Sequence, residues 1–277
     1  MNSETFVHPS ALVEAGAQLG AGVYVGPFCH VGPDVVLGDH VHLSNHVSVQ
    51  GVTTIGSGTR IQAFATLGGL PQDTKHKGGP TTLTVGANCD IRESVTIHKG
   101  SDAGTGATVV GDNCFLLAYS HIAHDCIVGN NVTLTNGATL GGHCEVGEYV
   151  IIGGLTAVHQ FVRIGRRAFL GGCSAVVGDV IPYAMAVGNR ATLHGYNVVG
   201  LKRAGLSRSQ LQAMRAAYRM LFSSEGTVAE NAEAVRQAYS DIPQVVEILD
   251  FMTSRGKRHF VVPALDDRDN ASDNDAD

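Results

Sequence analysis

The chain has 277 residues, 35 of them glycine, with 6% aromatic residues and no tryptophan, a composition suited to many tight turns around a narrow interior. Its formal net charge of -6 is concentrated at the end: Asp266 to Asp277 hold six aspartates and one arginine, leaving 19 acidic and 18 basic side chains before them, which excludes a strongly basic nucleic-acid binder. No apolar run reaches the roughly 18 residues of a membrane span, and the opening MNSETFVHPS has no basic-then-apolar leader pattern, so a cytoplasmic protein with free thiols is expected.

From Val7 an aliphatic residue recurs every sixth position: Val7, Val13, Leu19, Val25, Val31, Leu37, Leu43, Val49, Ile55, Ile61 and Leu67. A polar interruption, GGLPQDTKHKGGPTTL, follows, and the same phase resumes at Val85, Ile91 and Ile97. A second interruption, HKGSDAGTGATV, shifts the phase by one, and the series runs on from Val110 through Leu116, Ile122 and Val128 to Val176. Self-similarity at a fixed short period is the mark of a solenoid. Six-residue units with one inward aliphatic fit short strands, three to a triangular coil, with coils stacked about 4.8 Å apart; nine coils would make a prism roughly 45 Å long. Glycine follows many of the aliphatics, as at 20, 26, 38, 86 and 111, where we expect it to permit turns with positive φ. Cys29, Cys89, Cys114, Cys126 and Cys144 each stand four places after a phase-marking aliphatic, a second inward slot, and read as small core residues.

The period ends near Ile181-Pro182. Three amphipathic helices are expected beyond it: 207–223, opened by the capping box Ser207 to Gln210; 227–239, opened by Thr227 to Glu230; and about 242–254, with Asp241 as N-cap. The expected organisation is therefore mainly β: a parallel β-helix over 1–190 with inserted loops near 70–83 and 98–109, a small helical C-terminal domain over 191–262, and a disordered acidic tail over 263–277.

Insertions on a rigid solenoid are natural sites of function. In coils of 18, His124, Gly142 and Gln160 fall in one column, flanked by His143 and His159, with His121 half a unit away. A histidine beside an aspartate suits proton transfer, and a glycine N–H suits an oxyanion. Three histidines shared between chains could instead hold zinc, and exposed histidines on a turn-rich prism are the bland alternative.

The segments SHIAHDC, ATLGGH, IIGGLTAVHQF, GGCSAV, GNRAT and GLKRAG, with IRESVTIHKG and PQDTKHKG, resemble the cytoplasmic UDP-N-acetylglucosamine O-acyltransferase family that begins lipid A synthesis. The resemblance runs in order from about Phe6 to Arg255. It implies a homotrimer of left-handed parallel β-helices, with sites between subunits, that moves an (R)-3-hydroxyacyl chain from acyl carrier protein to the sugar nucleotide without cofactor or metal. By the same resemblance His124 is the general base, Asp125 supports its imidazolium, and the Gly142 N–H holds the oxyanion. Asp73, Lys75, His121, His143, His159 and Gln160 line the substrate pocket, Gly172 limits acyl length, and Asn197 and Arg203 meet the nucleotide. Arg190, Val199 and Ala204 depart from the family pattern at the nucleotide end.

Three rival readings follow from the same residues. Some relatives acylate a 3-amino sugar nucleotide. The later N-acyltransferase of the pathway has hexapeptide repeats, but it carries a uridine-binding domain ahead of them, whereas here repeats begin at Val7. A zinc hydratase of this fold class would need three histidine ligands at another spacing than His121 and His124 provide.

Overall fold

The computed structural model describes residues 4–254 and 256–264; most of the expected acidic tail, from Leu265 on, lies outside the described residues. The hexads form strands of two to four residues that line three long sheets. One sheet starts at Phe6–Val7, the second at Leu12–Val13 and the third at Gln18–Leu19, and each strand pairs in parallel with the one a full coil later, as Val25 with Leu43 and Ile122 with Leu140. The chain is thus mainly β, a left-handed parallel β-helix followed by helices.

The marker aliphatics form the core: Val25, Leu43, Ile61, Leu116, Leu134 and Leu170 are all fully buried. Val7 is 39% exposed because the first coil has no described coil beneath it. The five in-phase cysteines are free thiols buried in the second slot, where each S–H donates to a backbone carbonyl of the next coil, as Cys126 Sγ to the Gly141 oxygen at 3.2 Å. Cys173, outside that slot, is exposed.

Most of the glycines after the aliphatics serve a different purpose from the one expected. Positive φ falls three places after the aliphatic, at Asp125, His143, Phe161 and their counterparts, with φ of 60°, 61° and 66°. Most glycines directly after the aliphatics relieve crowding between coils: a Cβ on Gly26 would stand 2.1 Å from the Ser44 carbonyl oxygen, whereas Gly68 has the expected positive φ, 77°. Ladder spacing also explains the phase. Leu67 pairs with Ile97, 30 residues on, so the first insertion adds twelve residues, two whole hexads. Ile97 pairs with Ile122, 25 residues on, so the second adds seven and moves the phase by one.

At the end of the prism the strands Ala184–Val187 and Thr192–Tyr196 form an antiparallel hairpin across position 190. Among the described residues four helices follow: α1 (Val198–Arg203), α2 (Arg208–Leu221), α3 (Val228–Ala238) and α4 (Pro243–Thr253). Both expected capping boxes form, at Ser207 with Gln210 and at Thr227 with Glu230. The N-cap of α4 is Ile242 and not Asp241: Pro243 at the first helical position fixes φ and has no N–H to satisfy. The short α1, capped by the Asn197 side chain, was not expected, since VVGLKR carries no apolar period of its own. Arg166 holds α4 to the prism through two bonds to Glu247, at 3.0 and 2.9 Å, and Tyr183 bonds the same carboxylate.

Leu134→Ala should lower stability by about 2–5 kcal/mol through the cavity it leaves, and Val7→Ala by less than about 1 kcal/mol because its site is already open. Denaturation midpoints measure both; similar losses would contradict the open first coil.

Candidate active site

Both insertions and the histidine column leave the prism at one corner, where strands of the second sheet turn into the third. The strands Thr66–Gly69 and Thr96–His98 lead into the two loops. His121–Ile122, Thr139–Leu140 and Ala157–Val158 lead into the turns bearing His124, Gly142 and Gln160. Five successive levels of one edge therefore carry the candidate residues.

His124 is 9% exposed, and its Nδ1 lies 2.7 Å from Asp125 Oδ2. Neighbours in sequence meet this way because Asp125 is left-handed, which folds its side chain back along the turn. The second loop encloses the carboxylate: Ser101 N–H donates to Oδ2 at 3.1 Å, and Gly106 N–H and Thr105 Oγ1 donate to Oδ1, each at 2.9 Å. Burial pushes the Asp125 carboxyl upward, but the bonds from His124, Thr105, Ser101 and Gly106 outweigh it and hold the group below its ordinary range. An anion at this position fixes the Nδ1–H tautomer of His124 and leaves Nε2 to accept a proton.

The two loops are tied to one another. Asp73 in the first accepts from Ser101 Oγ at 2.7 Å and from Lys75 N–H at 2.9 Å, and these bonds lower its pKa. Asp102 in the second accepts from the N–H groups of Lys77 and Gly79, both at 3.0 Å. A continuous path of hydrogen bonds thus runs Asp73, Ser101, Asp125, His124. The Lys75 side chain is exposed. Ser101, Thr105 and Gly106 were not singled out in the sequence, where they read only as an interruption.

The expected column forms with its neighbour alongside. The His124 ring lies over Gly142, where a Cβ would stand 2.7 Å from both Cε1 and Nε2. No described residue accepts the Gly142 N–H. In the adjacent column, Asp125, His143 and Phe161 repeat every 18 residues; the rings of His143 and Phe161 stack at 4.4 Å, and His143 meets His124 edge-on at 5.1 Å. Burial lowers the pKa of His143. His121 faces outward one step earlier, with Nδ1 2.7 Å from Thr96 Oγ1 and its ring edge-on to His98. Burial first, then the nearby His98, pushes its pKa down to about 4, so it is a neutral hydrogen-bonding group. His98 Nδ1 is buried without a partner. His159 and Gln160 are exposed, and both bond to Arg258.

The remaining candidates lie elsewhere on this chain. Gly172 is at the corner between the first and second sheets, stacked on Gly154 and exposed. Asn197 donates to the Arg167 carbonyl at the third corner while capping α1, so its side chain is occupied within the fold, and Arg203 is exposed in the last turn of α1. Arg190, Val199 and Ala204 are exposed around the same end.

Ligand atoms of His124, Asp125 and His143 lie within 4.8 Å of one another, a set that could hold a metal ion. It comprises two imidazoles and one carboxylate, not the three imidazoles a hydratase of this fold class would use. Asp125 Oδ2 already accepts from two donors.

Comparison with known proteins agrees along the whole chain. Residues 179–261 match the family model of UDP-N-acetylglucosamine O-acyltransferase, domain 2, and residues 16–51 and 107–142 match the bacterial transferase hexapeptide repeat. A protein of Mesorhizobium japonicum, named as the O-acyltransferase for UDP-N-acetylglucosamine that uses acyl carrier protein, is 59% identical over 277 residues, covering 100% of this chain and 99% of its own. A protein of the same name from Bartonella henselae is 52% identical, covering 95% of this chain and 96% of its own. Among solved structures, the UDP-N-acetylglucosamine acyltransferase of Francisella novicida superposes with a TM-score of 0.91 at 30% identity, covering 98% of this chain and 100% of its own.

Nitrogen-15 NMR at alkaline pH, where the imidazole is neutral, should find His124 in the Nδ1–H form, and Asp125→Leu should release it to a mixture of tautomers. An unchanged tautomer in the variant would remove Asp125 from the orienting role.

Proposed function

The chain belongs to the UDP-N-acetylglucosamine O-acyltransferase family, and from that premise we propose how its geometry carries out the reaction. The enzyme transfers an acyl chain from acyl carrier protein to UDP-N-acetylglucosamine, the first step of lipid A biosynthesis. The observation that carries the mechanism is the buried His124–Asp125 pair with Nε2 directed away from its carboxylate.

In the proposed reaction His124 Nε2 removes the proton of the sugar 3-hydroxyl as that oxygen attacks the thioester carbonyl of an (R)-3-hydroxyacyl group. Asp125 stabilises the imidazolium formed. The tetrahedral oxyanion is held by the Gly142 N–H, and the position of the His124 ring over Gly142 supports the assignment. Collapse expels the carrier's thiolate, which takes the proton back from His124, leaving an ester on the sugar and a free thiol on the carrier. Asp73, Lys75, His121, His143, His159 and Gln160 lie on or beside the same edge and form the acceptor and acyl pocket. Arg203 supplies a cation to the diphosphate, with Asn197 beside it. No cofactor or metal enters these steps.

Assembly as a homotrimer is part of the proposal, and the corners support it. His124, Gly172 and Asn197 occupy three different edges of one prism. Edges of a single prism face apart, so one site gathers these residues only between copies. No helix among the described residues is long and apolar enough to cross a membrane. The cytoplasmic location we infer rests on the use of acyl carrier protein as donor.

His124→Ala should lower turnover about a thousandfold or more while the β-helix circular dichroism persists; near-normal turnover would end the general-base assignment. Product mass spectrometry with a ladder of 3-hydroxyacyl carrier proteins should show ester formation on the 3-hydroxyl acceptor and a shorter preferred chain in Gly172→Met. Faster reaction with the 3-amino acceptor, or an unchanged chain preference, would correct those points.

A further inference from the structure

The C-terminal segment 256–262 returns along the prism to the active-site corner and meets the turn 159–161 there. That turn is the level next to Gly142: Phe161 N–H donates to the Gly142 carbonyl at 3.0 Å, and a Cβ on Gly141 would stand 2.7 Å from Gln160 N. Arg258 makes the contact. Its Nε donates to the Gln160 carbonyl at 3.0 Å and its Nη2 to His159 Nδ1 at 2.7 Å. The backbone next to it is fixed, since Asp179 N–H donates to the His259 carbonyl at 2.7 Å and Val261 N–H donates to the Asp179 carbonyl at 2.8 Å. Asp179 is itself fully buried, with its carboxylate 2.7 Å from Arg163 Nε. A half-buried guanidinium on a backbone held in this way grips the turn as a planar fork.

His159 Nδ1 has two neighbours that demand opposite protonation. The Gln160 carbonyl, 3.2 Å away, would need a hydrogen on Nδ1, whereas a guanidinium has donors only and needs a lone pair there. The contact with Arg258 is shorter and charge-assisted, and the Gln160 carbonyl already accepts from Arg258 Nε, so the guanidinium prevails. A neutral imidazole with a lone pair on Nδ1 carries its hydrogen on Nε2, on the other side of the ring from Arg258.

We propose that Arg258 is a positioning residue of the substrate pocket: it grips the 159–161 turn beside Gly142 and presents the exposed His159 ring as an Nε2–H donor to an oxygen of the sugar nucleotide. The proposal rests on the placement of His159 in the substrate pocket, and the tautomer it requires is measured without substrate.

Nitrogen-15 NMR of the intact protein at alkaline pH, with the His159 signals assigned by their loss in His159→Ala, reads that tautomer. The wild-type ring should be in the Nε2–H form, and Arg258→Leu should move it to the Nδ1–H form, because the Gln160 carbonyl is then the partner left to Nδ1. Steady-state kinetics reads the consequence: Arg258→Leu should raise KM for UDP-N-acetylglucosamine about tenfold with kcat within about twofold of wild type. The same change made in His159→Ala should add less than about threefold, since the two residues act as one unit. An Nδ1–H form in the wild type, a tautomer or KM unmoved by Arg258→Leu, or losses that multiply in the double variant would overturn the proposal. A KM unchanged in His159→Ala, with the tautomers as expected, would place the failure in the pocket reading of His159 and not in the Arg258 contact.

Discussion

Each coil is hydrogen-bonded to the next through its strands, as His121 N–H to the Ala138 carbonyl and Ala123 N–H to the Leu140 carbonyl, so outside the insertions a residue has its place directly over the one 18 before it. That ladder turns a linear sequence into columns. Aliphatics fall on aliphatics, thiols donate to the carbonyls of the next coil, and left-handed turn residues fall on left-handed turn residues. An isolated non-glycine residue in the left-handed region costs roughly 1 kcal/mol or more. Here the ladder imposes it at most corners, and at Asp125 the same backbone lets a carboxylate reach back to the histidine before it.

A plain hexad turn is too small to bury an anion. Asp125 stays ionised within the structure because the second loop brings two N–H groups and a hydroxyl to it, and the first loop is fastened over the second through Asp73 and Asp102. The prism supplies spacing and the loops supply solvation. Neither alone makes His124 a base of defined tautomer, which is why both insertions leave from the edge that carries it.

Much of this was legible in the sequence because the period of six is stiff: the core positions, the thiol slots, the loop boundaries and the His124–Gly142 column follow from counting. The same arithmetic contained more. Phe161 is 18 past His143, and the stack could have been read from that; Gly172 is 48 past His124, not a multiple of 18, and so belongs on another edge. What counting cannot reach is backbone chemistry and return paths. Two of the four donors to Asp125 are main-chain groups with no side-chain signature, and Arg258 meets Gln160 across 98 residues of sequence with no periodic relation between them. The glycines after the aliphatics show a subtler difficulty: the residue type was informative, but at most of them crowding from the adjacent coil, and not φ, is what selects it.

The two insertions differ in length: twelve residues keep the hexad phase and seven do not, yet the ladder closes across both, Leu67 on Ile97 and Ile97 on Ile122, with a bulge only at Gly69. The prism therefore registers corners and strands and is indifferent to how many residues pass between them outside. Loop length at this edge is a variable that can change, as twelve and seven residues show, while the core rungs keep their register. The shape of the cleft over His124 can consequently evolve separately from the scaffold that supports it.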